Sequence, residues 1–345
     1  MRAIAAALLL AAALPSCAAP RLRPAEASQI AGRTYVVVGA SSGFGRGLAV
    51  RLGQHRARVV LAARRAALLE EVAAEVRAGG GEALVVPTDA SRPEQVEALA
   101  RAAVARFGRV DVWFNNAAVG VFGRFWEAPL ADHDQVVRTN LGGVVAGSHT
   151  ALKLFAAQGF GTLVNTGSVE SVVPLAYHTS YAAAKAAVLS LGRSLNQELR
   201  HAGLGKRVKV ATVMPWAADT PFFDNAANYT GCKGRMILLD GPEKVVEAML
   251  WVSLHPREEL PVGWKAHGAI AAHGFLPDLT ERIAANIQRA EFRRASPLPP
   301  TSGAVHAPVA VDQGVDGGVR ARRKAEDAAR KDGSGRDCPG LTRPR

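Results

Sequence analysis

Cysteine is scarce. The 345 residues hold three, Cys17, Cys232 and Cys338, far apart and with no C-x-x-C pair among them. That spacing offers no disulfide framework and no zinc site. Aromatic residues make up 6% of the chain and nowhere interleave with a basic run in its middle. A nucleic-acid groove is therefore a poor expectation despite the net charge of +12. Two ends carry part of that charge: residues 1–30 contribute +2 and residues 296–345 contribute +3, leaving +7 on the body. A moderately basic body suits an anionic cofactor or substrate. Long apolar runs are also missing. The longest, inside MRAIAAALLLAAALPSCAA (1–19), is about a dozen residues, too short to span a bilayer comfortably.

What is there divides into three. Residues 1–30 resemble a signal-peptide hydrophobic region. Leu14-Pro15-Ser16-Cys17 is similar to a bacterial lipoprotein box with Cys17 as the lipidated residue, and a retained upstream extension is the alternative. Membrane contact through this end follows as an expectation. Residues 31–295 carry regular apolar periodicity. Residues 296–345 begin SPLPPTSGAVHAPVA and continue in charged Gly/Ala/Arg/Asp sequence, which predicts a disordered tail.

In the middle, strands and helices alternate. Thr34 to Val38 (TYVVV) is a β-branched run that leads into Gly39-Ala-Ser41-Ser42-Gly43-Phe44-Gly45 and then a helical pattern. Strand, glycine turn, helix is an arrangement that cradles a pyrophosphate, because glycine lets backbone approach and the helix start presents free N–H groups. The next strand, Arg58 to Ala62, ends at Ala63, where an NAD site would want a carboxylate. Arg64 and Arg65 follow instead, and a guanidinium pairs with a 2′-phosphate, so the expectation leans to NADP(H) over NAD(H). Asp89 ends a third strand and could bond an adenine amino group or cap the next helix. A fourth strand runs into Asn115-Asn116-Ala117-Ala118. Asn140 sits with glycines inside a helix over about 132–155, which predicts a kink or a task there. Further strands end at Gly167-Ser168 and Pro215, and LPVGWKA (260–266) reads as the last. The fold class is α/β: one Rossmann-type doubly wound parallel sheet with helices on both faces, ligands at the carboxyl ends of the strands, and the disordered tail appended.

Ser168 to Lys185 (SVESVVPLAYHTSYAAAK) concentrates the chemistry. Tyr181 and Lys185 are four apart and share one helix face. A phenol is a weak acid or base at neutral pH, and a lysine cation beside it favours the phenolate.

Taken jointly, the glycine turn, Asn115-Asn116-Ala117, Asn140, Ser168, Tyr181 and Lys185 resemble the short-chain dehydrogenase/reductase family over about residues 33–270. Ser168 lies thirteen residues before Tyr181, the family's usual separation. The resemblance implies a nicotinamide cofactor and hydride transfer to or from a carbonyl or secondary alcohol. It implies Tyr181 as general acid/base, Lys185 lowering its pKa and holding the nicotinamide ribose, and Ser168 orienting the substrate oxygen. Asn140 would hold a water linking Lys185 to solvent. Gly39, Ser41, Ser42, Gly43, Phe44, Gly45, Asp89, Asn116, Ala117, Pro215 and Thr220 would contact the cofactor, with Tyr181 and Lys185. Arg64 resembles the family's NADP-selecting arginine. No metal is expected, homodimers or homotetramers are, and such a cofactor points to the cytoplasmic side. The chain departs from the pattern at Val38 for Thr, Ala118 for Gly and Trp216 for Gly.

Between Pro215 and the last strand lies a lid-like segment. Phe122, Phe125, Trp126, Trp216, Phe222, Phe223 and Tyr229 gather near the expected pocket, which suggests a bulky apolar carbonyl or alcohol. Two other classes are carried alongside: a catalytically silent nucleotide-binding regulator, and a membrane-anchored interaction module on the same fold.

Overall fold

The computed structural model describes residues 19–309, 314–332 and 338. The signal-like segment and Cys17 lie outside the described residues. Seven parallel strands form one sheet: β1 (Thr34–Val38), β2 (Arg58–Ala63), β3 (Glu82–Pro87), β4 (Val112–Asn115), β6 (Gly161–Thr166), β7 (Val208–Pro215) and β9 (Glu259–Val262), in the order β3-β2-β1-β4-β6-β7-β9. All five residues of β1 are buried, as expected of a strand covered on both faces. A second sheet of two strands pairs β5 (Val121–Phe122) with β8 (Ala227–Asn228).

Two apolar cores flank the main sheet. On one side pack α1 (Gly43–Gln54), α2 (Ala66–Ala78) and α7 (Pro242–Leu254), through Leu48, Leu52, Val72 and Met249. On the other pack α3 (Pro93–Phe107), α5 (Gly143–Gln158) and α6 (Thr179–His201), through Leu99, Phe107, Phe155 and Leu199. After β3 the chain crosses back to place β4 beside β1. The order therefore reverses between those strands, and a crevice opens at their carboxyl ends.

Three expectations change. The long helix expected over 132–155 is interrupted: α4 (Leu130–Val137) passes through a π-helical turn at Arg138–Gly142 before α5. This is the irregularity that Asn140 and its glycines foreshadow. The last strand stops at Val262. Gly263, at φ 78°, turns the chain into α8 (Gly263–Phe275), followed by α9 (Pro277–Arg294), so residues 263–266 are helical rather than extended.

The third change concerns the tail. Its described part folds back over the body and includes α10 (Val319–Lys331). Buried Arg235 is the anchor. It pairs with Glu291 of α9 at 2.9 Å and with Glu326 and Asp327 of α10 at 2.8 and 2.5 Å. Asp219 accepts from the Val319 N–H at 2.8 Å at the start of α10, and Arg322 pairs with Asp224 at 2.8 Å. Cys232 and Cys338 are joined by a disulfide, against the expectation of none. Their separation of 106 residues carries no local signal, and only the folding back of the tail brings them together. A composition read as coil thus orders through charges paired to the body, a long-range effect that local patterning does not register.

Candidate active site

Gly39, at φ 89°, follows β1 and donates to the Ala62 carbonyl at 2.7 Å. A Cβ on Gly39 would lie 2.7 Å from the Ala117 backbone, and one on Gly45 would overlap the Gly39 carbonyl oxygen. Only glycine permits this tight turn into α1, whose N-terminal N–H groups face the crevice. Asn116 Nδ2 donates to the Gly39 carbonyl at 3.3 Å and its Oδ1 accepts from Thr166 at 3.2 Å, tying β4 and β6 to the turn. Neighbouring Asn115 turns away from the crevice and bonds Trp113 and Asn165 at 2.8 and 2.9 Å.

A cavity of about 500 Å³ runs from this turn to the lid. The expected residues Gly39, Ser41, Ser42, Gly43, Phe44 and Arg64 line one end. Asp89, Asn116, Ala117, Pro215 and Thr220 join them, and Ser168, Tyr181 and Lys185 stand at the other end. Gly45 and Asn140 act from behind the lining. Asn140, fully buried, clamps Val119 by accepting from its N–H at 2.9 Å and donating to its carbonyl at 2.8 Å. Its side chain is thereby committed, so any task in holding water passes to its backbone in the π turn. Asp89 accepts from Ser91 N and Oγ at 2.9 and 2.7 Å, which makes it a turn residue ahead of α3.

Tyr181 and Lys185 project from α6 on one face, as their spacing requires. Lys185 Nζ donates to the Thr166 carbonyl at 2.6 Å and lies 5.4 Å from the Tyr181 ring centre. The electrostatics run against the expected phenolate. Burial, then the Glu170 carboxylate, push the Tyr181 phenol above its ordinary value, while Ser168 pulls the other way. Burial lowers Lys185 to about 8, with Glu170 opposing. Ser168 Oγ accepts from the Glu170 N–H at 3.1 Å, which leaves its own proton available.

The arginines at the end of β2 are engaged. Arg65 donates to Ser41 and Ser42 Oγ at 2.9 Å. Arg64 donates to the Ala304 and His306 carbonyls of the tail at 2.6 and 3.2 Å. The Gly43 N–H donates to the Gly314 carbonyl at 2.9 Å. Tail residues Ala304 and Pro308 also line the cavity. Of the expected aromatic residues, Phe122, Trp216, Phe222 and Phe223 line it. Trp126 is 80% exposed, and Tyr229 donates to Asp132 at 2.6 Å elsewhere.

Sequence reasoning passed over the tail and over Glu170 and His178. The last of these lies three residues before Tyr181, a helix-face spacing that signalled its position.

A reversing parallel sheet, a glycine turn at the switch point and a phenol–ammonium pair in the same crevice define a dinucleotide-binding α/β enzyme. The short chain dehydrogenase family model matches residues 33–229, and the chain belongs to that family. An uncharacterized oxidoreductase, YxnA of Bacillus subtilis, is 32% identical over 254 residues, 73% of this chain and 71% of that protein. Among solved structures, a short chain dehydrogenase/reductase from Burkholderia phymatum in complex with NAD is 27% identical. It superposes with a TM-score of 0.64 over 78% of this chain and 99% of its own. An alcohol dehydrogenase from Thermococcus sibiricus complexed with 5-hydroxy-NADP is 27% identical, with a TM-score of 0.58 over 67% and 95%. The chain is an oxidoreductase of this family, built for a nicotinamide cofactor.

Proposed function

We propose that the protein is an NADP(H)-dependent reductase of bulky apolar carbonyl compounds, with Tyr181 as the general acid. The observation that carries this is the convergence of Ser168, Tyr181 and Lys185 on one cavity with the glycine turn and Arg64. The cradle fits a dinucleotide: the turn admits no Cβ at Gly39 or Gly45, and the start of α1 supplies N–H groups for a pyrophosphate once the Gly314 carbonyl of the tail gives up the Gly43 N–H. Bound there, the cofactor supplies the hydride. Gly39, Ser41, Ser42, Gly43, Phe44, Asn116 and Ala117 would hold its phosphates and adenosine end. Asp89, Pro215 and Thr220 would flank it, with Lys185 on the nicotinamide ribose.

Ser168 donates to the substrate carbonyl and orients it toward the phenol. Tyr181 then gives its proton to the oxygen as alkoxide charge develops. Burial and Glu170 hold the phenol in its protonated form, the form that acts as the acid in the reduction direction. Lys185 moves the replacement proton. A side chain with a pKa of about 8 gives up and regains a proton near neutrality more readily than an ordinary lysine. The π turn at Asn140 frees backbone groups that can seat a relaying water.

NADP(H) is favoured because β2 ends at Ala63, with no carboxylate, and Arg64 and Arg65 follow it. Binding exchanges the neutral tail carbonyls on Arg64 for a phosphate. That trade replaces charge–dipole bonds to carbonyls with a guanidinium–phosphate ion pair, whose two parallel N–H···O bonds match the guanidinium fork. The apolar side of the cavity, with Phe122, Phe222, Ile283 and Ile287, supports a bulky apolar substrate. A homodimer or homotetramer is the assembly we expect, with exposed Leu130, Val137 and Val145 on α4 and α5 available for it.

Titration with NADPH and NADH, followed by nicotinamide fluorescence, tests the cofactor reading. Micromolar NADPH binding, much weaker NADH binding and loss of the difference in Arg64→Ala are expected. Equal binding of both would remove the NADP assignment. A carbonyl screen with Tyr181→Phe as control tests the chemistry. Turnover that survives Tyr181→Phe would remove the acid role.

A further inference from the structure

The proposed proton transfer assigns neither Glu170 nor His178 a contact with the substrate. Both are buried, at 8% and 4% exposure, and both line the cavity beside Tyr181. His178 Nδ1 lies 3.1 Å from each Glu170 carboxylate oxygen. A carboxylate only accepts, so Nδ1 carries the proton. In the neutral ring, Nε2 is then a lone-pair acceptor.

Nε2 has no partner. A Cβ on Gly120 would lie 3.0 Å from it. The ring of Phe222 stands edge-on to the imidazole, at 5.8 Å between centres and 65° between planes. Phe222 belongs to the single helical turn Phe222–Asn225, and a ligand group would reach Nε2 by displacing that ring. The imidazole stacks on the Tyr181 ring, with centres 4.2 Å apart and planes within 9°. Phe122 stacks on the imidazole at 4.5 Å. Glu170 and two aromatic rings thus fix the imidazole beside the proposed general acid, with one nitrogen left over. A buried polar atom without a partner is costly to leave so, and a ligand that satisfies it gains specificity.

We propose that Glu170 and His178 form a specificity subsite for a hydroxyl group on the substrate, close to the carbonyl that Tyr181 protonates. The proposal rests on the reductase reading and deepens it: the substrate class is a hydroxy ketone with an apolar body. A hydroxyl suits Nε2 in either ring state, donating to the neutral ring and accepting from the protonated one. Toward the hydroxyl Glu170 is a positioning residue, because it reaches that group only through the imidazole; its field also acts on Tyr181 and Lys185.

The test compares aryl ketones bearing an α- or β-hydroxyl with the same ketones lacking it. NADPH-loaded protein is used for turnover and NADP⁺-loaded protein for binding by calorimetry. Wild type should favour a hydroxylated member by at least about tenfold in kcat/KM, mainly through KM. His178→Phe should erase that preference while still reducing the parent ketone, a split that general structural damage would not produce. His178→Gln, which keeps a polar group, should restore part of it. Glu170→Gln should keep the preference in weakened form. Equal kcat/KM for every pair in wild type, or a preference that survives His178→Phe, overturns the subsite and leaves the reductase reading standing. Tighter binding of the hydroxy ketones that depends on His178, without hydride transfer to any ketone, supports the subsite and overturns the reductase reading.

Discussion

Replacing Lys185 with methionine should make the protein more stable at neutral pH while abolishing turnover. The ammonium is buried, and burial brings its pKa from 10.5 down to about 8. A drop of that size costs the folded state roughly 3 kcal/mol whenever the lysine is charged in both folded and unfolded chains. Methionine keeps the length of the stem and carries no charge. It also gives up the 2.6 Å bond to the Thr166 carbonyl, worth about 1–2 kcal/mol for a charged donor. The net expectation is a gain of roughly 1–2 kcal/mol at pH 7. Its pH dependence has a definite sign. Below pH 8 wild type bears the full penalty. Between pH 8 and 10.5 the folded chain has released a proton that the unfolded chain still holds, so wild-type stability rises with pH. Above 10.5 both states are neutral and the penalty is gone. Urea unfolding of wild type and Lys185→Met at pH 7, 8.5 and 10 reads this directly. The advantage of the variant should shrink across the series. A variant that is less stable at pH 7, by an amount that does not change with pH, would show that Glu170 fully compensates the buried charge and would refute the reasoning.

Other outcomes follow from the same structure. Arg235→Ala removes the buried cation shared by Glu291, Glu326 and Asp327, leaving Glu291 only Arg323 at 3.3 Å, and should cost up to about 3–5 kcal/mol in urea unfolding; a loss below about 1 kcal/mol would mean that the tail anchor contributes little. Reduction, or Cys338→Ser, opens a link across 106 residues, for which loop entropy gives up to roughly 4–5 kcal/mol. The melting temperature should fall, and an unchanged value in dithiothreitol would deny the disulfide a role in stability. Gly45→Ala puts a methyl on the Gly39 carbonyl and should cost about 1–3 kcal/mol as well as NADPH binding; undiminished affinity would disprove the tight turn as a cofactor cradle.

Much of the framework was legible locally. Buried parallel strands announce themselves as short β-branched runs, and TYVVV before a glycine turn placed the first strand and the crevice together. A four-residue spacing put Tyr181 and Lys185 on one face, and Asn140 among glycines marked the helix irregularity. These features depend on neighbours within a turn or two of the chain, so patterning alone determined them. Other features depend on residues far apart. Whether the lysine depresses the phenol's pKa is decided by burial and by Glu170, and the sign came out opposite to the local expectation. Asn115 and Asn116 are adjacent in sequence, yet the pleat of β4 sends one into the core and the other to the glycine turn. The tail carries too little apolar periodicity to signal order. It folds because Arg235, Asp219 and Cys232 meet Glu326, Val319 and Cys338, and the same return path puts its carbonyls on Arg64. Periodicity and spacing determined the sheet, the crevice and the placing of Tyr181 beside Lys185. Burial and long-range charge pairing, which arise only when the chain closes on itself, decided the protonation of that pair and what covers it.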